Sequence, residues 1–434
     1  MADTVRPAVG WQVIDGIAVI TLDSGRINAV DGRLRTALGE ALDRTAALRD
    51  LRAIVLTAAG AHFSAGATVR DLDHRPTGPG LAGLARRIEE ARVPVVAALP
   101  GPALGAGAEL ALACHWRLAA PGAGIGFPEI RLGLLPRAGG IQRLTRIAGV
   151  ATALEMLFGG AALPPEAALR QGLVDGVVQG DVREAGLTLA RELLARDAAP
   201  RPSSRRREGL ADPAANVAMI RAARAAARGD PRQVAPLILG CIEAALVLPF
   251  AQGLAYEAEA HLEAAAQPQS RALRHLVLAG RRQGAAVFDG QGRPRPVAAA
   301  AAERVLEAMT RAAVLLAEDT GPAAVDAALV AEGFEEGPFG GRTAAPAPGL
   351  WRAVLVAAMA EGARIIEEGL LPSADAVDLA AVHAGGFARL TGGPMWAGQA
   401  LGLRQLLAET RSRTAAPWAV PRVLADAARA GRWP

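Results

Sequence analysis

The order of apolar and polar positions divides the chain into two parts with different patterns. In the first part, short apolar runs at 17–22, 53–57 and 94–99 alternate with polar turns and with segments of helical spacing. Apolar runs of this length, bounded by turn residues, are typical of buried β-strands. The segment 33–48 carries its apolar residues three and four positions apart and predicts a helix. This alternation predicts an α/β domain.

The second part of the chain has a helical pattern throughout. Residues 236–265 carry apolar residues at helical spacing, between stretches rich in proline, glycine and charge around 197–213 and 289–296. After the second stretch, residues 304–339 and 352–395 share one order of features: a long helical segment, a Val-Asp pair, a Gly-Phe pair and a Gly-Pro pair. This weak internal duplication predicts an all-α domain of two helical repeats.

The composition is consistent with a globular protein of several domains. A chain of 434 residues is too long for one ordinary core, so we expect two or three domains. It is 51% apolar and 21% charged, which indicates a folded rather than a disordered protein. All 47 basic residues are arginine, which we interpret as codon bias. The net charge of +4 is small and only 3% of residues are aromatic, so we expect no nucleic-acid partner.

The cysteines and the apolar stretches indicate neither a disulfide framework nor a membrane span. Cys114 and Cys241 are too few for such a framework and are predicted to be buried thiols. The longest apolar stretch, 93–114, is interrupted by prolines and by Glu109, so it predicts a strand, a turn and a helix. The first residues do not form a positively charged and then apolar leader, and we therefore expect a cytoplasmic protein.

Two glutamates follow turns that are marked by glycine or proline. Glu109 follows the glycine turn at 105–108 and is predicted to lie in the early turns of a helix at 104–113, while Glu129 follows Gly-Phe-Pro. A third turn lies at 63–67, Phe-Ser-Ala-Gly-Ala. Two carboxylates can act as acid and base, and two such turns can direct N–H groups into one pocket. The alternative is a solvated helix glutamate and an ordinary turn glutamate.

Four stretches within residues 10–190 closely resemble the crotonase (enoyl-CoA hydratase/isomerase) superfamily. They are the turn at 63–67, the Pro-Val-Val-Ala-Ala run at 94–98, the glycine turn and helix at 103–114, and the long motif at 127–146. The fold of this family is a repeated ββα spiral. The resemblance therefore implies an α/β crotonase ββα spiral, followed by the all-α domain of two helical repeats.

The resemblance also implies a role for each candidate site residue. The backbone N–H groups of Ala67 and Ala106 would form an oxyanion hole for the thioester oxygen, where loss of one donor typically costs ~3–4 kcal/mol of barrier. Glu109 would activate the water that adds at C3, and Glu129 would deliver a proton to C2. Family members with other chemistry often lack one of the two glutamates. Keeping both favours hydration of a 2-enoyl-CoA to a 3-hydroxyacyl-CoA, with Δ3–Δ2 enoyl-CoA isomerisation as the alternative.

Four small residues beside these N–H groups are implied substrate contacts, because glycine lets the backbone approach a ligand closely. They are Ala65, Gly66, Gly105 and Gly107. The sequence departs from the family pattern at Thr68, at Ala106, where glycine is usual, and at His115. These departures bear on substrate fit and rate, and they remove no proton-transfer group. No metal site is expected, because the histidines considered lack partners at ligand spacing. They are His62, His115, His261 and His383.

The rest of the chain resembles other parts of multifunctional β-oxidation enzymes. Residues 236–282 resemble their linking helix, and residues 300–434 resemble the duplicated helical C-terminal part of 3-hydroxyacyl-CoA dehydrogenase. In that family a nucleotide-binding domain lies between them, whereas here only residues 283–296 fill the interval, and no G-x-G-x-x-G follows a strand and opens a helix. We therefore expect no dehydrogenase activity and no cofactor such as NAD, with coenzyme A thioester as substrate.

The predicted organisation follows from these boundaries. It comprises a crotonase-like enoyl-CoA hydratase domain at 1–195, a linker at 196–235, a linking helical segment at 236–284, a short junction at 285–299 and a dehydrogenase-like helical domain at 300–434. We expect an acyl-CoA substrate and, as possible partners, a separate thiolase or dehydrogenase. A rival hypothesis from another class is an acyl-CoA-binding scaffold subunit with little activity of its own.

Overall fold

The apolar runs of the first part form neighbouring strands of one sheet in the computed structural model, which describes residues 7–69, 78–340, 347, 349–413 and 415–434. The strands are β1 Val9–Ile14, β2 Ile17–Leu22, β3 Ala53–Ala58, β4 Val95–Leu99, β5 Ala103–Leu104, β6 Trp116–Ala119, β7 Ile125–Gly126, β8 Ala162–Leu163 and β9 Gly176–Val177. The larger sheet has the order β1-β2-β3-β4-β6-β9. β1 pairs antiparallel with β2, and the other neighbours are parallel. The strands predicted at 17–22, 53–57 and 94–99 are confirmed.

A smaller sheet of β5, β7 and β8 brings the three predicted turns together. β5 runs parallel to β7, and β8 is antiparallel to β7. Ser64 forms a parallel bridge to Ala103, and the Gly105 N–H donates to the Gly126 carbonyl over 2.8 Å. The three turns predicted around 63–67, 105–108 and 126–129 therefore lie at the carboxyl ends of three neighbouring parallel segments.

Helices cover the larger sheet on both faces. Alternate residues of β2 belong to different apolar clusters: Ala18 and Ile20 face one cluster, while Ile17 and Val19 face the other. Burial on both faces is expected for a largely parallel sheet. The helices of this part are α1 Gly32–Ala46, α2 Leu81–Glu89, α3 Ala106–Ala113, α4 Gly140–Gly159, α5 Pro165–Arg170, α6 Val182–Ala195, α7 Pro213–Ala227, α8 Ala235–Val247 and α9 Phe250–Ala266, with 3₁₀ helices at Pro128–Leu132, Ser203–Arg205 and Glu208–Leu210.

The interval 196–235 differs from the predicted linker, because it is a folded part of the first unit. Two 3₁₀ helices and α7 lie within it. The buried Ser203 hydroxyl donates to the Leu112 carbonyl over 2.6 Å, and the backbone of Gly209 lies so close to Gly149 that no side chain would fit there. A high content of proline, serine and arginine indicates a linker without regular structure. That content carries no information on acceptors or small residues that lie far away in the sequence.

The residues after 265 form a separate, helical unit. The chain divides into Met1–Ala265 and Ala266–Pro434, so the predicted linking segment 236–284 is split between the two units. The helices of the second unit are α10 Pro268–Val287, α11 Pro296–Thr320, α12 Pro322–Ala331, α13 Leu350–Glu367, α14 Ala374–Ala384, α15 Pro394–Leu401, α16 Leu403–Glu409 and α17 Arg422–Ala430, with 3₁₀ helices at Arg389–Thr391 and Ala416–Trp418. A bridge between Phe288 and Pro294 closes the short turn that joins α10 to α11.

The internal duplication is visible in two buried aspartates with the same role. Asp326 Oδ1 accepts the Phe339 N–H over 3.1 Å, and Asp378 Oδ1 accepts the Met395 N–H over 2.8 Å. Each acceptor therefore binds the residue directly after a Gly-Pro pair. In both copies the glycine leaves room for the aspartate, since an added Cβ would collide with Oδ1. This equivalence supports two helical repeats.

Candidate active site

Glu109 is held at the N-terminus of α4. It lies in the first turn of α3 and is 1% exposed. Its Oε1 accepts three backbone N–H groups, from Arg137 over 3.1 Å, from Ala138 over 2.6 Å and from Gly140 over 3.1 Å. Free N–H groups and the dipole at a helix N-terminus favour a negative charge. The turn at 137–140 is thus a binding site for the Glu109 carboxylate.

The second oxygen of Glu109 is available for chemistry. Within the part of the chain that the structure describes, Oε2 has no recorded hydrogen-bond partner, whereas Oε1 has three. Burial raises the pKa of Glu109, and the N–H donors together with the charges of Arg137 and Arg143 oppose this rise. A carboxylate anchored through one oxygen can take up a proton with the other.

Glu129 lies in the 3₁₀ helix after Pro128. Its Oε1 lies beside Gly105, where an added Cβ would come within 2.8 Å. Its Oε2 is buried and has no hydrogen-bond partner among the described residues. Burial, and secondly the charge of Glu109, raises the pKa of Glu129 to about 8. Glu129 is therefore mostly protonated at neutral pH and can donate a proton.

The two predicted oxyanion donors lie on adjacent turns. A Cβ added at Gly66 would be 2.9 Å from the Leu104 carbonyl oxygen and 3.6 Å from the Ala106 nitrogen. Ala106 is the first residue of α3, so its N–H has no acceptor within the helix. In the described ranges, no acceptor is recorded for the N–H of Ala67 or of Ala106. Both donors are thus left for a ligand, and their role in catalysis stays a prediction.

The small residues around these donors meet different local structural requirements. Gly66 and Gly105 have φ values of +93° and +50°, in the left-handed region that favours glycine. Gly107 has to be small because a Cβ there would lie 2.6 Å from the Ser64 Cβ. The Ala65 N–H donates to the Ile27 carbonyl over 2.9 Å. Packing thus accounts for Gly107, and the predicted substrate contacts of all four residues remain predictions.

A third buried carboxylate, Glu257, was missed by sequence reasoning. It lies on α9, and its side chain accepts the Gly139 N–H over 2.8 Å and the Gln142 N–H over 3.0 Å. Burial, and secondly the charge of Glu109, raises the pKa of Glu257 to about 8. One sequence signal existed, since Glu257 shares a helical face with buried small residues at spacings of four and three. They are Gly253, Ala260 and Ala264.

A buried ion pair supports the turn that holds Glu109. Arg143 lies on α4, and its Nη2 is 2.8 Å from Glu89 Oε2, with both side chains almost fully buried. Its Nη1 donates to the Ala138 carbonyl over 2.7 Å. Glu89 Oε1 also accepts the Ser204 N–H over 2.8 Å. The ion pair therefore joins α2, α4 and the folded interval after residue 196.

The other polar groups near the site have structural partners. His115 Nδ1 accepts the Val95 N–H over 3.0 Å, and its Nε2 lies 3.0 Å from the Glu89 carbonyl oxygen. Burial lowers the pKa of His115. Cys114 and Cys241 are buried free thiols, as predicted, and burial raises the pKa of Cys114 to about 12. Among the described residues, no cluster of metal-ligating side chains is found.

Comparison with known proteins identifies the first part of the chain. Residues 12–202 match the family model described as Enoyl-CoA hydratase/isomerase. This first part of the chain is therefore similar to the enoyl-CoA hydratase/isomerase family. The family is that of the crotonase fold, so the predicted α/β crotonase part, followed by a largely helical part, is confirmed. The acyl-CoA substrate that we expected is the substrate class of this family.

Curated proteins similar to this chain include much longer enzymes. The peroxisomal bifunctional enzyme of Danio rerio is 40% identical over 163 residues, and the glyoxysomal fatty acid beta-oxidation multifunctional protein MFP-a of Brassica napus is 37% identical over 173 residues. Each alignment covers 38% of this chain, but only 23% and 24% of the relative. A solved enoyl-CoA hydratase from Mycobacterium avium subsp. paratuberculosis K-10 is 22% identical, with a TM-score of 0.46, over 62% of this chain and 95% of that one.

The described helices bear on the expected absence of a membrane span, and they do not bear on the cellular location. None of them combines the length and the apolar character of a membrane-spanning helix. The cytoplasmic location stays a prediction, and the names of two relatives place those proteins in peroxisomes and glyoxysomes.

Proposed function

We propose that this chain adds water to a 2-enoyl-CoA and forms a 3-hydroxyacyl-CoA. The observation that carries the proposal is the pair of buried carboxylates, Glu109 and Glu129, each with one oxygen that accepts no hydrogen bond from the described residues. Their environments differ, because Glu109 accepts three N–H groups, whereas Glu129 has a pKa raised to about 8. Two carboxyl groups in such different environments suit the roles of base and acid.

The proposed reaction moves one proton from water to Glu109 and one proton from Glu129 to the substrate. Oε2 of Glu109 takes a proton from a water molecule as the water oxygen bonds to C3. The electron pair of the double bond moves towards the thioester, whose oxygen accepts the N–H groups of Ala67 and Ala106. Glu129 then gives its proton to C2. Return of a proton from Glu109 to Glu129, through solvent or directly, restores the starting state.

Isomerisation of a 3-enoyl-CoA is the second candidate. It needs removal of a proton at C2 and delivery of a proton at C4, which one carboxyl group can perform. The raised pKa of Glu129, and its Oε2 without a hydrogen-bond partner among the described residues, favour this alternative, since such a group can take up and release a proton near neutral pH. Hydration remains the primary proposal, because isomerisation would leave Glu109, which three N–H groups hold in place, without a catalytic role.

We further propose that the reaction needs no NAD and that a separate dehydrogenase or thiolase acts on the product. The support is the short connection between α10 and α11, where only a turn around the Phe288–Pro294 bridge lies in the interval that holds a nucleotide-binding domain in the resembling family. An acyl-CoA-binding scaffold with little activity is the alternative from another class.

The test is turnover of 2-enoyl-CoA substrates of several chain lengths, with and without NAD. Loss of the conjugated enoyl absorbance and formation of 3-hydroxyacyl-CoA without NAD support hydration. Conversion of 3-enoyl-CoA in the absence of any hydration would instead establish isomerisation. Formation of NADH would contradict the proposed absence of dehydrogenase activity. Tight acyl-CoA binding without turnover would favour the scaffold.

A further inference from the structure

Glu257 lies outside the residues that match the hydratase/isomerase family. It is part of α9, whereas the match ends at residue 202. Its side chain is completely buried in the first unit. Buried carboxylates are rare unless they are satisfied by hydrogen bonds or charge. The two hydrogen bonds that Glu257 accepts therefore offset the cost of its burial.

The N–H donors of those hydrogen bonds lie between and just after the N–H donors that hold Glu109. The Gly139 and Gln142 N–H groups donate to the Glu257 oxygens, while N–H groups at 137, 138 and 140 donate to Glu109. One turn at the N-terminus of α4 thus presents alternate donors to two carboxylates. Displacement of either carboxylate leaves buried N–H groups unsatisfied, and it loosens the contacts of the other.

Further contacts place α9 along the same turn. Gly253 lies against the Gln142 side chain with no room for a Cβ, and Gln142 Nε2 donates to the Cys241 carbonyl over 2.9 Å. His261 Nδ1 lies 2.6 Å from the Leu135 carbonyl oxygen. The Phe250 ring lies 5.1 Å from the Arg143 guanidinium carbon. Residues from both ends of α9 therefore contact the segment 135–146.

We propose that Glu257 is a positioning residue for the reaction at Glu109, because its carboxylate fixes the turn whose other N–H groups hold Glu109. As a statement about catalysis, this rests on the proposed hydration. Burial, and secondly the charge of Glu109, raises the pKa of Glu257, which shows that the two carboxyl groups lie close enough to interact.

The kinetic test compares Glu257→Gln with Glu259→Gln, an exposed glutamate on the same helix. The glutamine amide would direct an NH₂ group at one of the two N–H donors. We expect kcat for crotonyl-CoA to fall about 10- to 100-fold with KM unchanged, on the scale of a small misplacement of a reacting group. Glu259→Gln should match the wild type.

A second variant keeps the carboxyl group and shortens the side chain. Glu257→Asp is one methylene shorter, so it cannot reach both N–H groups. It should lower kcat with KM unchanged, and it tests the proposal if Glu257→Gln does not fold. Wild-type kcat in both Glu257 variants would overturn the proposal.

Hydrogen exchange gives a readout that needs no turnover. Peptides that contain residues 137–142 should exchange their amide hydrogens faster in Glu257→Gln than in the wild type or in Glu259→Gln, because one of the two N–H groups loses its acceptor. Unchanged exchange at 137–142 would overturn the proposal. If the wild type hydrates no 2-enoyl-CoA while Glu257→Gln accelerates exchange, only the proposed function fails, and the coupling of Glu257 to the turn of Glu109 stands.

Discussion

Arg143 and Glu89 form a buried ion pair whose Nη2–Oε2 distance is 2.8 Å. The same arginine donates to the Ala138 carbonyl, and the Ala138 N–H donates to Glu109. The position of the candidate base therefore depends on a charge pair that touches no substrate. Removal of one partner from such a pair leaves an uncompensated buried charge.

Glu89→Gln is expected to destabilise the first unit by about 3–5 kcal/mol, the usual cost of breaking a buried pair. The measurement is the denaturant midpoint of the protein. The matched control is Asp43→Asn, which breaks the exposed pair between Asp43 and Arg87, with Asp43 76% exposed. That change should cost about 1 kcal/mol or less. Equal effects of the two substitutions would mean that burial does not decide the strength of the Arg143 pair.

Glu109→Gln and Glu129→Gln should each lower kcat for 2-enoyl-CoA hydration by at least ~10²-fold, the scale of a positioned acid or base. Glutamine is close in shape to glutamate but cannot carry the proton. Glu155→Gln, at an exposed position of α4, serves as the control and should leave kcat unchanged. Full activity in either site variant would rule out the proposed role of that glutamate.

Hydration should slow as the pH rises through about 8. The proposed reaction needs the proton of Glu129, whose pKa is raised to about 8 by burial and by the charge of Glu109. The check is the alkaline limb of the kcat/KM profile, which is assigned to free enzyme. A profile that stays flat to pH 10 would argue against Glu129 as the proton donor.

The same pKa predicts how stability depends on pH. Because the folded-state pKa of Glu129 lies above its ordinary value of 4.5, the stability that protonated Glu129 contributes is full below pH 4.5 and is lost as the pH rises to about 8. Glu129→Gln removes this dependence. The variant should therefore gain thermal stability relative to the wild type at pH 8, and the difference should shrink towards pH 4. An equal difference at both pH values would contradict the raised pKa.

Gly393→Ala should destabilise the second unit, because Gly393 has φ +98° and a Cβ there would collide with Asp378 Oδ1. Gly337→Ala tests the equivalent position of the other repeat, beside Asp326. The control is Gly280→Ala within α10, where a Cβ meets open space and alanine favours the helix by about 0.5–1 kcal/mol. Thermal unfolding followed by circular dichroism measures all three. Wild-type stability in Gly393→Ala would contradict the proposed equivalence of the two aspartate sites.

The sequence by itself determined several strands and helices and singled out the first two carboxylates. Apolar runs at 17–22 and 53–57 predicted strands because local periodicity reflects which faces are buried. Glu109 and Glu129 could be singled out because each follows a turn within a long motif. The Val-Asp and Gly-Pro pairs gave the duplication in the same way.

Only the tertiary structure decided which distant residues complete the site. Glu257 meets Gly139 across 118 positions, and Ser204 meets Glu89 across 115. His275, which the sequence did not single out, lies 2.9 Å from Asp378 across 103 positions. A composition rich in proline and serine could not distinguish a free linker from a segment packed on α4. Long-range contacts depend on how the elements pack, and local propensity carries no information on that packing.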